Sequence, residues 1–298
     1  MILYISLTVV VVLLGLLVKR KEYVTFWPDT SSPGKDIRSF VNGWFAWMCF
    51  ILLGGVSACR VAVGNDYWVY RFQFNLIMQH RHVSYEPGFN AVVYVLQSLF
   101  GYDNYKVVFG FFSIVTCALF VWALYSQGEW FGGSIFMLLC GGYYFLSLNS
   151  VRYYFVLAVA MVGMKFVIEK KYTAFLVSVL LAATIHKSVL IVIPGFIAAA
   201  FLSRIKWKKW IKVLLPLYGA LCVLMVVGKP LWRKIIFTIY PFYENSMFDN
   251  GGVSYANIIK CLAGVALTVV CMKMLLSEDS CESGNGVMHL KFYSVLNL

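Results

Sequence analysis

The sequence predicts an all-α protein: a polytopic helical integral membrane protein of about nine spans, with its N-terminus outside. Three observations predict this class. The 298 residues are 61% hydrophobic and only 13% charged, and their mean hydropathy is +0.78, which is atypical of soluble domains. The apolar residues fall in runs that approach the roughly 20 residues a membrane helix needs. Basic residues collect in short segments between these runs.

Nine apolar runs are the candidate spans. The first is followed at once by Lys19-Arg20-Lys21 and has no small-residue cleavage site, so we expect a retained span and not a signal peptide. The runs cover residues 2–18, 40–59, 105–125, 131–148, 152–168, 172–185, 187–202, 210–228 and 257–276.

Three basic segments predict one orientation. The residues around 19–38, the pair Lys170-Lys171 and the cluster at 204–212 all become cytoplasmic when the N-terminus is outside, as the positive-inside bias requires. We therefore expect a single membrane domain over 1–298. It would have an outward loop with interfacial helices at 60–104 and a second outward loop at 229–256.

The segment 172–202 predicts a short or re-entrant hairpin. Both its ends are cytoplasmic by charge, so the chain turns at the polar pair His186-Lys187. Each arm has about 14–16 residues, or roughly 21–24 Å of helix, against a hydrocarbon core of about 30 Å. The turn should lie below the outer surface, and Pro194-Gly195 should break the second arm.

Several basic residues map to the outer ends of spans, against the expected bias, and such charge is a functional-site hypothesis by default. Arg152 begins a predicted helix, where its charge opposes the macrodipole unless an anion lies nearby. The net charge of +12 does not indicate nucleic acid, because the basic residues are scattered in short loops. The outer basic residues include Arg60, Arg71, Arg81, Arg152, Lys187, Arg233 and Lys234.

Arginines facing a dry cavity suit a diphosphate group, because guanidinium binds phosphate oxygens bidentately and stays charged when buried. We predict that a substrate diphosphate is bound by Arg60, Arg71, Arg152 and Lys187. A base could be supplied by Asp66, Glu86 or His186, and the sequence leaves the choice among these three catalytic candidates open. Asp66 also suits the N-cap of a helix on which Tyr67, Tyr70 and Phe74 share one face.

The sequence predicts no metal site and no cofactor. His80-Arg81-His82 lacks a third ligand, and the eight cysteines form no CxxC pair. No Gly-rich phosphate loop is present.

Four motifs in order resemble the EpsG family of Wzy-like membrane proteins of bacterial exopolysaccharide and capsule assembly. They are Arg60-x-x-x-Gly64-x-Asp66-Tyr67-x-x-Tyr70, Glu86-x-Gly88-Phe89, Asn149-x-x-Arg152 and Ala182-x-x-x-His186-Lys187-Ser188, and the likeness extends over roughly residues 1–210. Asn65 and Tyr153 depart from the family pattern, where a small residue and Gln are common. Family members generally continue for further spans, so the resemblance leaves open that this chain is truncated.

The resemblance implies a polymerase that joins oligosaccharide repeat units carried on undecaprenyl diphosphate, which makes it a glycosyltransferase. It implies the bacterial inner (plasma) membrane, with the active site facing outward and other polysaccharide assembly and export proteins as partners. A flippase or transporter of the same lipid-linked oligosaccharide needs similar cationic groups, and a glycan ligase needs the same chemistry. Both remain alternatives, as does a non-catalytic scaffold.

Overall fold

The computed structural model describes residues 2–19, 33–128, 130–202 and 227–239, together with residues 220 and 224. Every regular element in these residues is helical, which agrees with the predicted all-α class. A 3₁₀ helix, Lys187–Ile191, precedes α10. The α-helices in chain order are α1 (Ile2–Leu17), α2 (Pro33–Ala58), α3 (Tyr67–Met78), α4 (Pro87–Phe100), α5 (Tyr105–Gln127), α6 (Phe131–Cys140), α7 (Tyr143–Ser147), α8 (Val151–Ile168), α9 (Tyr172–Ala183), α10 (Val192–Leu202) and α11 (Lys229–Ile239).

The chain divides into two compact units, residues 1–194 and residues 195–298. The first unit contains every candidate catalytic and diphosphate-binding residue predicted above. The prediction of a single membrane domain over 1–298 stays a prediction.

Helix α5 is the centre of the first unit. It packs against both α2 and α8, while α1 packs against α2 and α6, and α9 packs against α8. Half of the apolar window of α5 is buried inside the protein, compared with 28% for α2. The core between these helices is aliphatic and aromatic, so its stability comes from close packing of side chains. Its most buried members include Val11, Cys49, Leu53, Phe120 and Ile135.

Three of the described helices are long and apolar enough to cross a membrane: Ser39–Ala58, Tyr105–Gln127 and Val151–Ile168. Four further apolar helices are shorter: Ile2–Leu17, Phe131–Cys140, Tyr172–Ala183 and Lys187–Phe201. The predicted number of nine spans and the predicted orientation are therefore not established. The predicted run 257–276 lies outside the described residues, as does most of 210–228.

Two predicted helices have different boundaries in the structure. The run 131–148 is interrupted after Cys140, and Gly142 has a φ of +81°, which only glycine adopts without strain. The second arm of the hairpin is irregular at Lys187–Ile191, before Pro194 and not at it. Proline is tolerated there because the first turn of a helix has N–H groups without helical partners.

Helices α3 and α4 occupy the segment that was predicted as a loop with interfacial helices. The predicted face of α3 is confirmed, since Tyr67, Tyr70 and Phe74 are all buried. They pack against aromatic side chains of α4 and α5 and do not form an exposed belt. This packing attaches the segment to the helical bundle and fixes where α4 begins.

Candidate functional site

An aromatic cluster holds the beginnings of α3 and α4 against α5. Tyr67 stacks on Phe109 with ring centroids 4.6 Å apart and planes 10° apart. Phe89, which is fully buried, contacts Phe74, Tyr70 and Phe112 at centroid distances of 5.2 to 6.1 Å. Each such ring pair stabilises the folded protein by roughly 0.5–1.5 kcal/mol beyond the contribution of its buried area. The cluster therefore sets a rigid base for Glu86, the N-cap residue of α4.

The Glu86 carboxylate joins three of the four sequence motifs. Its Oε2 accepts a hydrogen bond from Arg152 Nη1 at 2.5 Å, and its Oε1 lies 3.2 Å from His186 Nδ1. The backbone N–H of Lys187 also donates to Oε1, at 3.2 Å. Arg152 and His186 are 66 and 100 residues away from Glu86 in the sequence. The structure thus brings together two of the predicted catalytic candidates and two predicted diphosphate ligands, Arg152 through its side chain and Lys187 through its backbone.

The charge states in this cluster follow from the surroundings. Burial raises the pKa of the Glu86 carboxyl, but the Lys187 N–H and the Arg152 charge outweigh it, so the pKa lies below its ordinary value. Burial and the Arg152 charge together lower the pKa of His186. At neutral pH Glu86 is therefore ionised and His186 is neutral.

These charge states assign the histidine tautomer. An ionised carboxylate is an acceptor only, so the hydrogen bond between Glu86 Oε1 and His186 requires Nδ1 to carry the proton. The other ring nitrogen, Nε2, then has a lone pair that can accept a proton. A neutral imidazole with a carboxylate on Nδ1 is the arrangement in which histidine serves as a general base.

Arg152 is held on two sides. Its guanidinium lies 3.7 Å from the ring centroid of Tyr85 and 5.3 Å from that of Phe89, in cation–π contacts. The sequence required an anion near this charge at the beginning of α8, and Glu86 is that anion. Only 15% of the Arg152 side chain is exposed, and its Nε has no hydrogen-bond partner in the described part of the chain.

A close approach of backbones holds the His186 turn against α4. The N–H groups of Gly88 and Phe89 both donate to the carbonyl oxygen of Thr184, at 2.9 and 3.2 Å. A Cβ atom on Gly88 would lie 2.6 Å from Thr184 Cβ and 2.8 Å from this oxygen, closer than real atoms approach. Only glycine fits, so this residue is what brings His186 within reach of Glu86.

Asp66 belongs to a second, separate contact. Its backbone N–H donates to Asn149 Oδ1 at 3.1 Å, and its carboxylate accepts from Asn149 Nδ2 at 3.2 Å. Asp66 is the N-cap residue of α3, as predicted, but its side chain does not cap the helix. Gly64, at φ +92°, leaves room for Asn149, since an added Cβ would lie 3.0 Å from three of its neighbours' atoms. This contact positions the beginning of α3 beside the residues that lead into α8.

The side chains of Arg60, Arg71 and Lys187 make no ion pair with the Glu86 carboxylate in the described residues. Arg60 is buried, with 7% of its surface exposed, and donates to Ser57 and Ser113 hydroxyls at 3.2 and 3.0 Å. Its burial lowers its pKa, and no carboxylate in the described residues pairs with it. Arg71 lies over the Tyr105 ring at 4.5 Å. The Lys187 side chain is exposed beside His186.

The sequence matches a known family. Residues 43–296 match the model of the EpsG family, a region that includes all four motifs. The chain belongs to the EpsG family. No curated protein and no solved structure matches it significantly.

Membership of the EpsG family suggests a role like that of a polysaccharide polymerase, with glycosyltransferase-like activity, in a membrane protein of polysaccharide assembly. The match also extends beyond residue 210, where the sequence resemblance was expected to end. Within the described residues of this EpsG-family protein, no three His, Cys, Asp or Glu side chains are grouped closely enough to hold a metal ion.

Sequence reasoning did not assign roles to three residues that build the site. The Tyr85 ring contacts the Arg152 guanidinium. The Thr184 carbonyl oxygen accepts hydrogen bonds from the first turn of α4, and the Asn149 amide donates to the Asp66 carboxylate. Asn149, like Gly88, is part of one of the four motifs, and its place in the motif was the only sequence signal that it contributes to the site. Tyr85 and Thr184 lie next to or between motif residues and have no distinctive pattern of their own.

Proposed function

We propose that this protein polymerises oligosaccharide repeat units carried on undecaprenyl diphosphate into exopolysaccharide or capsule. The reaction would take place at the outer face of the bacterial inner membrane. The observation that carries the proposal is the Glu86 carboxylate, which orients neutral His186 through Nδ1 and pairs with Arg152. This arrangement suits the deprotonation of a sugar hydroxyl beside an anionic leaving group.

In the proposed reaction, Nε2 of His186 takes the proton from the acceptor hydroxyl while that oxygen bonds to the anomeric carbon of the donor sugar. The bond between the anomeric carbon and the phosphate oxygen breaks, and both its electrons leave with the polyprenyl diphosphate. Glu86 is a positioning residue here: it fixes the tautomer and stabilises the imidazolium that forms. General-base catalysis of this kind contributes about 10²–10⁴-fold.

Cations near the base would stabilise the charge that develops on the leaving diphosphate. The exposed Lys187 side chain follows His186 directly, and the Arg152 guanidinium lies beside the same Glu86 carboxylate. These two are the diphosphate ligands that the geometry supports best. Arg60 and Arg71 stay predictions for this role, and the Asn149 contact favours a structural role for Asp66 over that of the base.

A transporter of the same lipid-linked oligosaccharide would also need cations. It would not need an oriented, neutral imidazole with a free nitrogen, so the Glu86–His186 contact supports an enzyme. A ligase that moves glycan from the same carrier to another acceptor would use the same step. The two enzymes differ in product, since a polymerase makes long glycan on the carrier.

The test replaces His186 by Ala and measures the length distribution of glycan on the lipid carrier. His80→Ala is the matched control, because His80 also contacts a tyrosine ring, Tyr94, at 5.5 Å, and no described carboxylate binds it. We expect single repeat units to accumulate outside in the His186 variant, at about 100-fold lower polymerisation, and normal polymer in the control. Normal polymer from a folded His186→Ala protein would contradict the mechanism, and units trapped in the cytoplasm would indicate a transporter.

A further inference from the structure

Tyr153 is an exposed aromatic residue whose ring contacts the ring of the candidate base. It follows Arg152 on α8, and its ring meets the His186 ring with centroids 6.2 Å apart and planes at 78°. The side chain is 45% exposed, whereas its neighbour Tyr154 is buried at 8%. An exposed ring therefore lies at the accessible edge of a cluster whose other members are mostly buried.

The Tyr153 ring has the support that a binding surface needs. Tyr154 contacts it edge to face at a centroid distance of 5.2 Å, and the His186 ring meets it at a steep angle. Each ring has an electron-rich face and an electron-poor edge, so these contacts restrain the ring without requiring both its faces to be covered. Two χ angles are then fixed before any ligand arrives, which lowers the entropic cost of binding.

The chemistry of such a surface matches a sugar ring. A pyranose has one side on which several C–H groups point the same way, and their slightly positive hydrogens are attracted to an aromatic face. Around His186 the protein thus offers a base for a hydroxyl, an exposed cation at Lys187 for phosphate and an aromatic face at Tyr153.

We propose that Tyr153 stacks on the sugar that carries the acceptor hydroxyl and selects pyranoses with an apolar C–H face. This inference rests on the proposed function. In it, Tyr153 places the acceptor hydroxyl against Nε2 of His186 while the ring takes no part in proton transfer. An alternative role for the side chain is that of an interfacial tyrosine at the level of lipid headgroups.

The experiment compares Tyr153→Ala and Tyr153→Phe in the full chain reconstituted in nanodiscs. The substrate is the lipid-linked repeat unit purified from host cells that lack this protein. The second probe is the same glycan released from the lipid, used as an inhibitor, because it has no phosphate and reports on sugar contacts alone. Tyr94→Ala is the matched control, since Tyr94 is 41% exposed and contacts His80.

We expect Tyr153→Ala to raise KM and the inhibition constant of the free glycan about five- to tenfold with little change in kcat. Tyr153→Phe should restore both constants to near wild type, because the ring remains. Unchanged constants in Tyr153→Ala, together with a large loss in His186→Ala, would overturn this inference and leave the proposed function standing. A lower folded yield with unchanged constants would identify an interfacial tyrosine and would also overturn it. If His186→Ala keeps its activity, the proposed function itself fails.

Discussion

Arg152 and Arg60 contact the same aromatic cluster but have opposite electrostatic surroundings. Arg152 lies over Tyr85 and Phe89 and pairs with the Glu86 carboxylate. Arg60 lies 5.2 Å from the Phe109 ring centroid and has only hydroxyl partners among the described residues. Both charges were expected to bind a substrate diphosphate. The difference shows that Arg152 belongs to a hydrogen-bonded cluster with Glu86 and His186, whereas Arg60 is buried without a carboxylate partner among the described residues.

The largest expected effect comes from removing the paired arginine. Arg152→Ala leaves Glu86 without its ion pair, so the carboxylate can turn away from His186, and we expect polymerisation to fall about 100-fold. Arg152→Lys should recover only part of this, because an ammonium group cannot both bind Glu86 and lie flat against Tyr85. Glycan length on the carrier measures the effect. Equal activity for Arg152→Ala and wild type would remove the distinction between the two arginines.

A second prediction tests how the His186 turn is brought against the beginning of α4, where Glu86 lies. Gly88→Ala introduces a Cβ 2.8 Å from the Thr184 carbonyl oxygen, so the His186 turn must move. We expect the free energy of unfolding to fall by about 1–3 kcal/mol and the activity to decrease with it. The thermal midpoint of the protein in detergent measures the stability.

Gly110→Ala is the control for this substitution, since nothing lies within 4 Å of a Cβ added at Gly110, in the second turn of α5. Its stability should stay equal or rise by up to about 1 kcal/mol, because alanine favours helix over glycine. A Gly88→Ala protein as stable as this control would mean that the close approach to Thr184 is dispensable.

The pH dependence of activity tests how the charges of Arg152 and Lys187 change the pKa of His186. His186 must be neutral to accept a proton, and its pKa is lowered from an ordinary value of 6.5 by burial, Arg152 and Lys187, while Glu86 acts to raise it. Activity should therefore be constant at neutral pH and fall only as the pH drops below about 6.5. Lys187→Met should move this fall to higher pH and Glu86→Gln to lower pH. A fall that begins above pH 7 in the wild type would contradict the assignment of His186 as base.

The smallest expected effect concerns Arg60. Arg60→Met removes a buried cation that no described carboxylate pairs with, so the lost Ser57 and Ser113 hydrogen bonds are offset by a lower desolvation cost. We expect the free energy of unfolding to change by no more than about 1 kcal/mol, measured by thermal unfolding. The loss of polymerisation should be smaller than in Arg152→Ala. A larger loss would show that Arg60 binds substrate directly, as the sequence alone suggested.

Much of the local structure could be predicted from the sequence. The face of α3 formed by Tyr67, Tyr70 and Phe74 followed from spacing, and the turn at His186 followed from charge on either side. The interruption at Gly141-Gly142 was missed because the run 131–148 is apolar throughout, so hydropathy does not mark it. The partner of Asp66 was missed because a hydrogen bond to Asn149 joins residues 83 positions apart.

The sequence by itself was sufficient to predict a helical chain with apolar segments of membrane-spanning length, and its ordered motifs were sufficient to predict the family. Hydropathy, periodicity and motif spacing are properties of neighbouring residues, so they can be read without a fold. Only the tertiary structure decided which of Asp66, Glu86 and His186 lie together, because Glu86 contacts Arg152 and His186 across 66 and 100 positions of the chain. These contacts depend on Gly88 and on the aromatic cluster, which place the beginning of α4 through contacts between residues far apart in the chain.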